Sequence, residues 1–219
     1  MTKHLNRDME AIHREILSLS SLVEEMIDKA SRALCERHRD YSEEIRDTDE
    51  LVDKREVHIE EECLKILALH QPVAVDLRRI ATVLKVNNDL ERVADLAVNI
   101  AERAACLSDY PAFPIPGTLE GMVHQATRMF RESLDSFVRL DAELARQICV
   151  QDDEVDRDNR IIIDNLLEQM QEHPEDVPPA LHCFSAVRHI ERIADHATNI
   201  AEDVIYLVEG EIVRHQHDL

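Results

Sequence analysis

At 219 residues the chain is long enough to bury a real apolar core, as one larger domain or two small ones. Apolar residues make up 44% of it, which excludes a disordered polymer, while 3 Gly, 4 Phe, 3 Tyr and no Trp are too few turn and aromatic residues for a sheet protein. The 46 acidic against 25 basic side chains leave a formal charge of −21, a field that repels nucleic acid and anionic membrane surfaces and attracts cations and basic partners.

The opening stretch, MTKHLNRDMEAIHREIL, has no apolar leader segment, and no run approaches the length of a membrane span. The chain is therefore expected in the cytoplasm without direct membrane insertion. Five cysteines, Cys35, Cys63, Cys106, Cys149 and Cys183, are odd in number and lack a C-x-x-C, so they read as small apolar fillers in a reducing compartment.

A first helix is predicted from Thr2 to Arg39, with Met9, Ile12, Ile16, Leu19, Val23, Met26, Ala30 and Ala33 spaced alternately by three and four. Such a long stripe could leave apolar surface for pairing with a second copy. After a break near Asp40-Tyr41-Ser42, Ile45, Val52, Ile59 and Ile66 recur at sevens, with Leu51, Cys63 and Leu69 nearby. Gln71-Pro72 punctuates, and a third helix runs from about Val73 to Leu107, striped by Leu77, Ile80, Leu84, Ala94, Val98 and Ala101. Three prolines and a glycine between Ser108 and Gly117 mark a linker. Helices then follow from Thr118 to about Arg139 and from about Asp141 to Gln171. A break at His173-Pro174 through Pro178-Pro179 precedes a last helix to about Val208, and the tail from Arg214 is expected to fray. Long helices joined by short connections imply antiparallel neighbours, hence an all-α chain of two tandem three-helix bundles.

Internal duplication supports that division. Residues 90–102 read LERVADLAVNIAE and residues 190–202 read IERIADHATNIAE, identical at nine of thirteen positions and one hundred residues apart. A weaker echo relates Ile45, Asp49, Val52 and Asp53 to Ile148, Asp152, Val155 and Asp156. The expected organisation is a first repeat over 1–108, a linker over 109–117 and a second repeat over 118–219.

Steps of three and four place Glu91, Asp95, Asn99 and Glu102 on one helical face, and Glu191, Asp195, Asn199 and Glu202 repeat the arrangement. Asp49 and Asp53, with Glu56 and Glu60 beyond, line the second helix; Asp152 and Asp156, with Asn159 beyond, are their counterparts. If the second and third helices of each bundle face one another here, four carboxylates and an amide converge. Such a cage suits hard cations, and bridging carboxylates could hold more than one iron or manganese ion. Two plainer readings stand beside it: Arg92, Arg103, Arg188 and Arg192 could neutralise the acids as ion pairs, or the acids could line a solvated groove. Ferritin-like di-iron sites add Glu-x-x-His pairs, whereas residues 94 and 194 here are both Ala, which disfavours oxidative di-iron chemistry. His196 replaces Leu96 of the first repeat, so it reads as no obligatory ligand. Neither a phosphate-cradling glycine loop nor a nucleophile-plus-base constellation occurs, and the chain reads as no enzyme.

The duplicated E-R-[VI]-A-D-x-A-x-N-I-A-E segment, the D-x-x-x-D of the second helix and the R-x-I-A-T-x-L-K-V-N-N-D-L-E-R run at 78–92 resemble the PhoU family over residues 3–209. The resemblance implies two three-helix bundles, often dimeric, whose E(D)xxxD motifs hold multinuclear iron, or zinc, manganese or magnesium. Carried over, those motifs are Glu91/Asp95 and Glu191/Asp195, with Asp49/Asp53 and Asp152/Asp156 as companions. It further implies a negative regulator of the phosphate-starvation response that links a phosphate ABC transporter to a sensor histidine kinase. The alternative is a small iron-handling bundle. Where the first copy has Thr82-Val-Leu-Lys-Val-Asn87, the second has His182-Cys-Phe-Ser-Ala-Val187, so the two sites need not be equivalent.

Overall fold

Each of the predicted apolar stripes becomes the inner face of a long helix. The computed structural model describes residues 3–37 and 41–213. Among these residues six α-helices run in order: α1 (Lys3–Glu36), α2 (Tyr41–His70), α3 (Val75–Leu107), α4 (Leu119–Arg139), α5 (Ala142–Glu172) and α6 (Val177–Glu209). The expected extension of the first helix to Thr2 and Arg39, the break residue Asp40 and the tail from Arg214 lie outside the described residues.

The first three helices pack on one another, as do the last three, and the two bundles meet along α3 and α6. One continuous apolar core results, not two separate ones. At its spine Ala94, Ala97, Ala101 and Ala104 of α3 and Ala186, Ala194, Ala197 and Ala201 of α6 are all buried. Small side chains let helix axes approach closely, so the alanine-rich duplicated segment is also a packing device. Polar links cross between the bundles. Arg131 on α4 pairs with Asp28 on α1 at 2.6 Å, and Lys85 Nζ on α3 lies 2.8 Å from the buried Asp203 on α6. His196 Nδ1 stands 2.8 Å from Asp89 Oδ1, giving the residue that breaks the repeat a partner across the spine.

Local chemistry sets the helix ends. The Asp141 carboxylate caps α5 by accepting the backbone N–H groups of Glu143 and Leu144 at 3.1 and 3.0 Å. Gly210 ends α6 at φ 81°, in the left-handed region. The expected proline break is shorter than its sequence suggests: only His173 and a 3-10 turn over Pro174–Asp176 interrupt, while Pro178 and Pro179 lie inside α6. There their missing N–H groups fall among those a helix leaves unpaired anyway.

The segment read as a linker is non-helical but anchored. Phe113 is buried in the core, and the Arg37 guanidinium donates to the carbonyls of Tyr110 and Pro111 at 3.0 and 2.8 Å and to that of Phe113. Leu77 of the α3 stripe is exposed, as are Leu51 and Leu69 beside the α2 stripe, while Val52, Ile66 and Ile80 are buried nearby. Nor does α1 carry exposed large apolar side chains among the described residues. Exposed large apolar side chains lie instead on the other helices, most of them on α2 (Leu51, Val57, Leu64, Leu69) and α5 (Val150, Ile161, Leu167).

Candidate functional site

The second and third helices of each repeat do face one another along their acidic stripes. In the first repeat, Asp49 is pushed up to about 6, chiefly by burial and then by repulsion from Asp53 on its own helix and Asp95 and Glu91 on α3. Glu91 is raised by burial, by Asp95 and, across the groove, by Asp53. Glu56 is raised by burial and by Glu60 and Glu91, so it belongs to the same field. The second repeat reproduces the pattern. Burial followed by repulsion from Asp195 and Asp156 pushes Asp152 up to about 6. Glu191 and Asp195 are both raised, burial first, with Asp156 acting on each from α5. The eight carboxylates Asp49, Asp53, Glu91, Asp95, Asp152, Asp156, Glu191 and Asp195 thus form two matched sets of four.

The asparagines of the sequence pattern are placed differently. Asn99 turns its amide back to the carbonyl of Asp95, one turn earlier on α3, at 2.7 Å. Asn199 lines the groove between α3 and α6 with Leu84, Lys85, Asn88, Asp89, Glu202 and Asp203. Amides of other residues reach the stripes instead. Asn159 on α5 donates to Glu191 at 3.3 Å, and Asn87 on α3 donates to the Glu56 carbonyl at 2.9 Å and its carboxylate at 3.2 Å. Asn159 could be read from its place one turn beyond Asp156. Asn87 has Val187 as its counterpart, so the repeat carried no signal for it.

Arginines neutralise part of each set. Arg92 lies 3.5 Å from Glu91 and 3.9 Å from Asp95, and Arg188 lies 2.6 Å from Glu191. Arg160 pairs with Asp156 at 3.2 Å, whereas Arg103 goes to Glu102. No ion pair links Arg192 to the stripes among the described residues. Ion pairing is therefore incomplete, and Glu91 and Glu191 stay raised despite their arginines.

Among the described residues, no three histidine, cysteine or carboxylate side chains already stand in a coordination sphere. The fit to a cation rests instead on oxygens left without partners. Asp49 Oδ1, Glu191 Oε2 and Asn159 Oδ1 are buried and accept no hydrogen bond. A buried acceptor without a donor is costly, and each lies in a set of facing carboxylates. A hard cation would satisfy such oxygens, and the donor set is oxygen-only, as Mg²⁺, Mn²⁺ and iron accept. In donor chemistry, though not in present spacing, these residues fit that group.

The PhoU domain model matches residues 16–104 and again 119–204. The chain belongs to the PhoU family. It is 38% identical over 217 residues to the phosphate-specific transport system accessory protein PhoU homolog of Pseudomonas putida, covering 98% of this chain and 84% of that protein. Its identity to the homolog of the same description from Aquifex aeolicus is 39% over 213 residues, 97% of this chain and 96% of that one. The crystal structure of PhoU from Pseudomonas aeruginosa superposes with a TM-score of 0.91 at 38% identity, over 94% of this chain and 99% of that chain. The two family matches fall on the two bundles, so the tandem-repeat reading stands, and the chain is a PhoU-type phosphate-transport accessory protein. No described helix is long and apolar enough to cross a membrane.

Proposed function

We propose that this PhoU-family chain is the adaptor that connects a phosphate ABC transporter to a sensor histidine kinase, restraining uptake and keeping the starvation response silent when phosphate is plentiful. The observation that carries the reading is full-length similarity to accessory proteins of phosphate-specific transport systems. Long helices with exposed apolar positions on α2 and α5 support contact with protein partners and with a second copy in a homodimer, on the cytoplasmic side. The chain acts by contact and not as an enzyme.

In this reading Asp49, Asp53, Glu91 and Asp95, and separately Asp152, Asp156, Glu191 and Asp195, hold iron, zinc, manganese or magnesium. A bound cation supplies positive charge where burial and mutual repulsion raise the carboxylates. Asp49 and Asp53 then tie α2 to α3, and Asp152 and Asp156 tie α5 to α6, so the ions brace the bundles.

The test is a clean deletion in the source organism, scored by a phosphate-starvation reporter in high phosphate and complemented with the wild-type chain. Derepression reversed by complementation is expected, and normal repression in the deletion would sink the adaptor reading. Elemental analysis of protein prepared without chelator, beside a variant with Glu91, Asp95, Glu191 and Asp195 changed to Ala, tests the metal reading separately. Few static ions lost in the variant fit an adaptor, whereas many ions with redox turnover would favour the iron-handling alternative.

A further inference from the structure

A cavity of about 590 Å³ opens at the junction of the two repeats, away from the acidic stripes, between the first half of α1, the start of α3, the end of α4 and the end of α6. Met9, Val83, Phe137 and Leu207 supply apolar wall, and Arg14 and Arg79 reach it as cations. That size and makeup, apolar with a few placed charges, is that of a small-molecule site.

The arginines are the telling part. Arg131, Arg146 and Arg188 are met by carboxylates at 2.6 Å, and others such as Arg32, Arg157 and Arg192 have no ion pair among the described residues; what sets Arg14 and Arg79 apart is that both converge on one apolar cavity. Neither Arg14 nor half-buried Arg79 has an ion pair or side-chain hydrogen bond among the described residues. Glu10 also lines the cavity and stands four residues before Arg14, the favourable order for a helical pair, yet no such pair forms. His13, half-buried on the same wall, sets its ring 6.0 Å from that of Phe137, tilted by 43°.

We propose that this cavity binds an amphipathic small anion, an aromatic body carrying one phosphate or carboxylate head. Phe137, Val83 and Leu207 take the body, and Arg14 and Arg79 take the head by charge-assisted hydrogen bonds. The net charge of −21 opposes polyanions at long range, which favours a singly headed ligand over a triphosphate or nucleic acid. Because four helices from both repeats meet here, occupancy would bias how the bundles sit on one another. The inference goes beyond the adaptor reading and does not depend on metal.

The experiment is fluorescence titration of the full chain with anilinonaphthalene sulfonate, an aromatic anion. Variants are the double Arg14→Gln/Arg79→Gln and, separately, Leu140→Glu, which sets a negative charge on an exposed lining residue. Arg157→Gln, at an exposed arginine of α5 with no ion pair among the described residues, is the control, and unchanged circular dichroism and urea midpoints show that each variant folds. Expected are one saturable site per chain, affinity lowered by about tenfold or more in both cavity variants, and no change in the control. AMP should displace the probe where the same concentration of inorganic phosphate does not. Equal affinity in the cavity variants, no saturable binding, or equal displacement by phosphate would each overturn the proposal. So would binding well below one probe per chain together with a dimer, seen by sedimentation, that Leu140→Glu dissociates, since a second copy would then cover the cavity.

Discussion

Asp49 and Asp152 should make the protein less stable as pH rises towards neutrality, and a cation should reverse this. Both carboxyls hold their protons up to about 6 in the fold, against the 3.8 of an ordinary aspartate. Between those values the folded chain binds protons that the unfolded chain has released. The stabilisation they give is complete below about 3.8, shrinks through this window, and is lost above about 6. Raising one aspartate that far corresponds to about 3 kcal/mol at pH 7, and partial access of water cuts it to roughly 1–2 kcal/mol per site. The double variant Asp49→Asn/Asp152→Asn removes both charges. In chelator at pH 7.5 it should therefore be about 2–4 kcal/mol more stable than wild type, with the gap closing towards pH 4.

The assay is urea unfolding followed by circular dichroism from pH 4 to pH 7.5. Comparing the two proteins at each pH cancels the self-repulsion of the remaining acids. Adding Mn²⁺ or Mg²⁺ at about one hundred times its dissociation constant should stabilise wild type by about 2.7 kcal/mol per site and the variant much less. A gap between wild type and variant that does not change with pH would refute the electrostatic reasoning. Equal cation response in the two proteins would refute the assignment of these aspartates to the cation sites.

Three further predictions follow from the packing. Arg37→Ala removes three hydrogen bonds to the 110–113 segment and should cost about 1–3 kcal/mol, with faster proteolysis between Ser108 and Gly117 as the direct readout. Asp141→Ala deletes the cap of α5 and should lower stability by about 1 kcal/mol in chemical unfolding, whereas Asp141→Asn should retain most of it. Ala97→Leu forces a large side chain into the fully buried α3 spine and should cost about 1–3 kcal/mol or more, with a lowered melting temperature.

Much of this architecture was legible in the linear pattern because helical periodicity is local. Ile45, Val52, Ile59 and Ile66 recur at sevens and all are buried, so one face of α2 could be drawn before any contact was known. The facing of Asp49/Asp53 with Glu91/Asp95, and of Asp152/Asp156 with Glu191/Asp195, could likewise be anticipated from a duplication that repeats both motifs. Less legible was anything decided by which face meets which neighbour. Leu77 fits the period of α3 yet is exposed, because the buried face begins one turn later at Ile80.

The asparagines show the same division. Asn99 and Asn199 share the periodicity of the acidic stripe, but a side chain one turn further along a helix can bond its own backbone or face another partner. Asn99 does the first, and Asn199 lies in the α3–α6 groove. Asn87 joins the first stripe although nothing in the second repeat answers to it.

Helix, repeat, charge and the alignment of carboxylates along each helix follow from composition and from spacing along the chain. Packing of distant segments makes the two repeats share one core, sets Arg37 on the proline-rich segment and brings His196 to Asp89 across the spine. It also brought Arg14 and Arg79 to one apolar cavity where neither pairs with Glu10, the carboxylate on its wall. Those outcomes depend on the relative placement of helices far apart in the chain, where burial and the competition for partners are set by neighbours that no local period encodes.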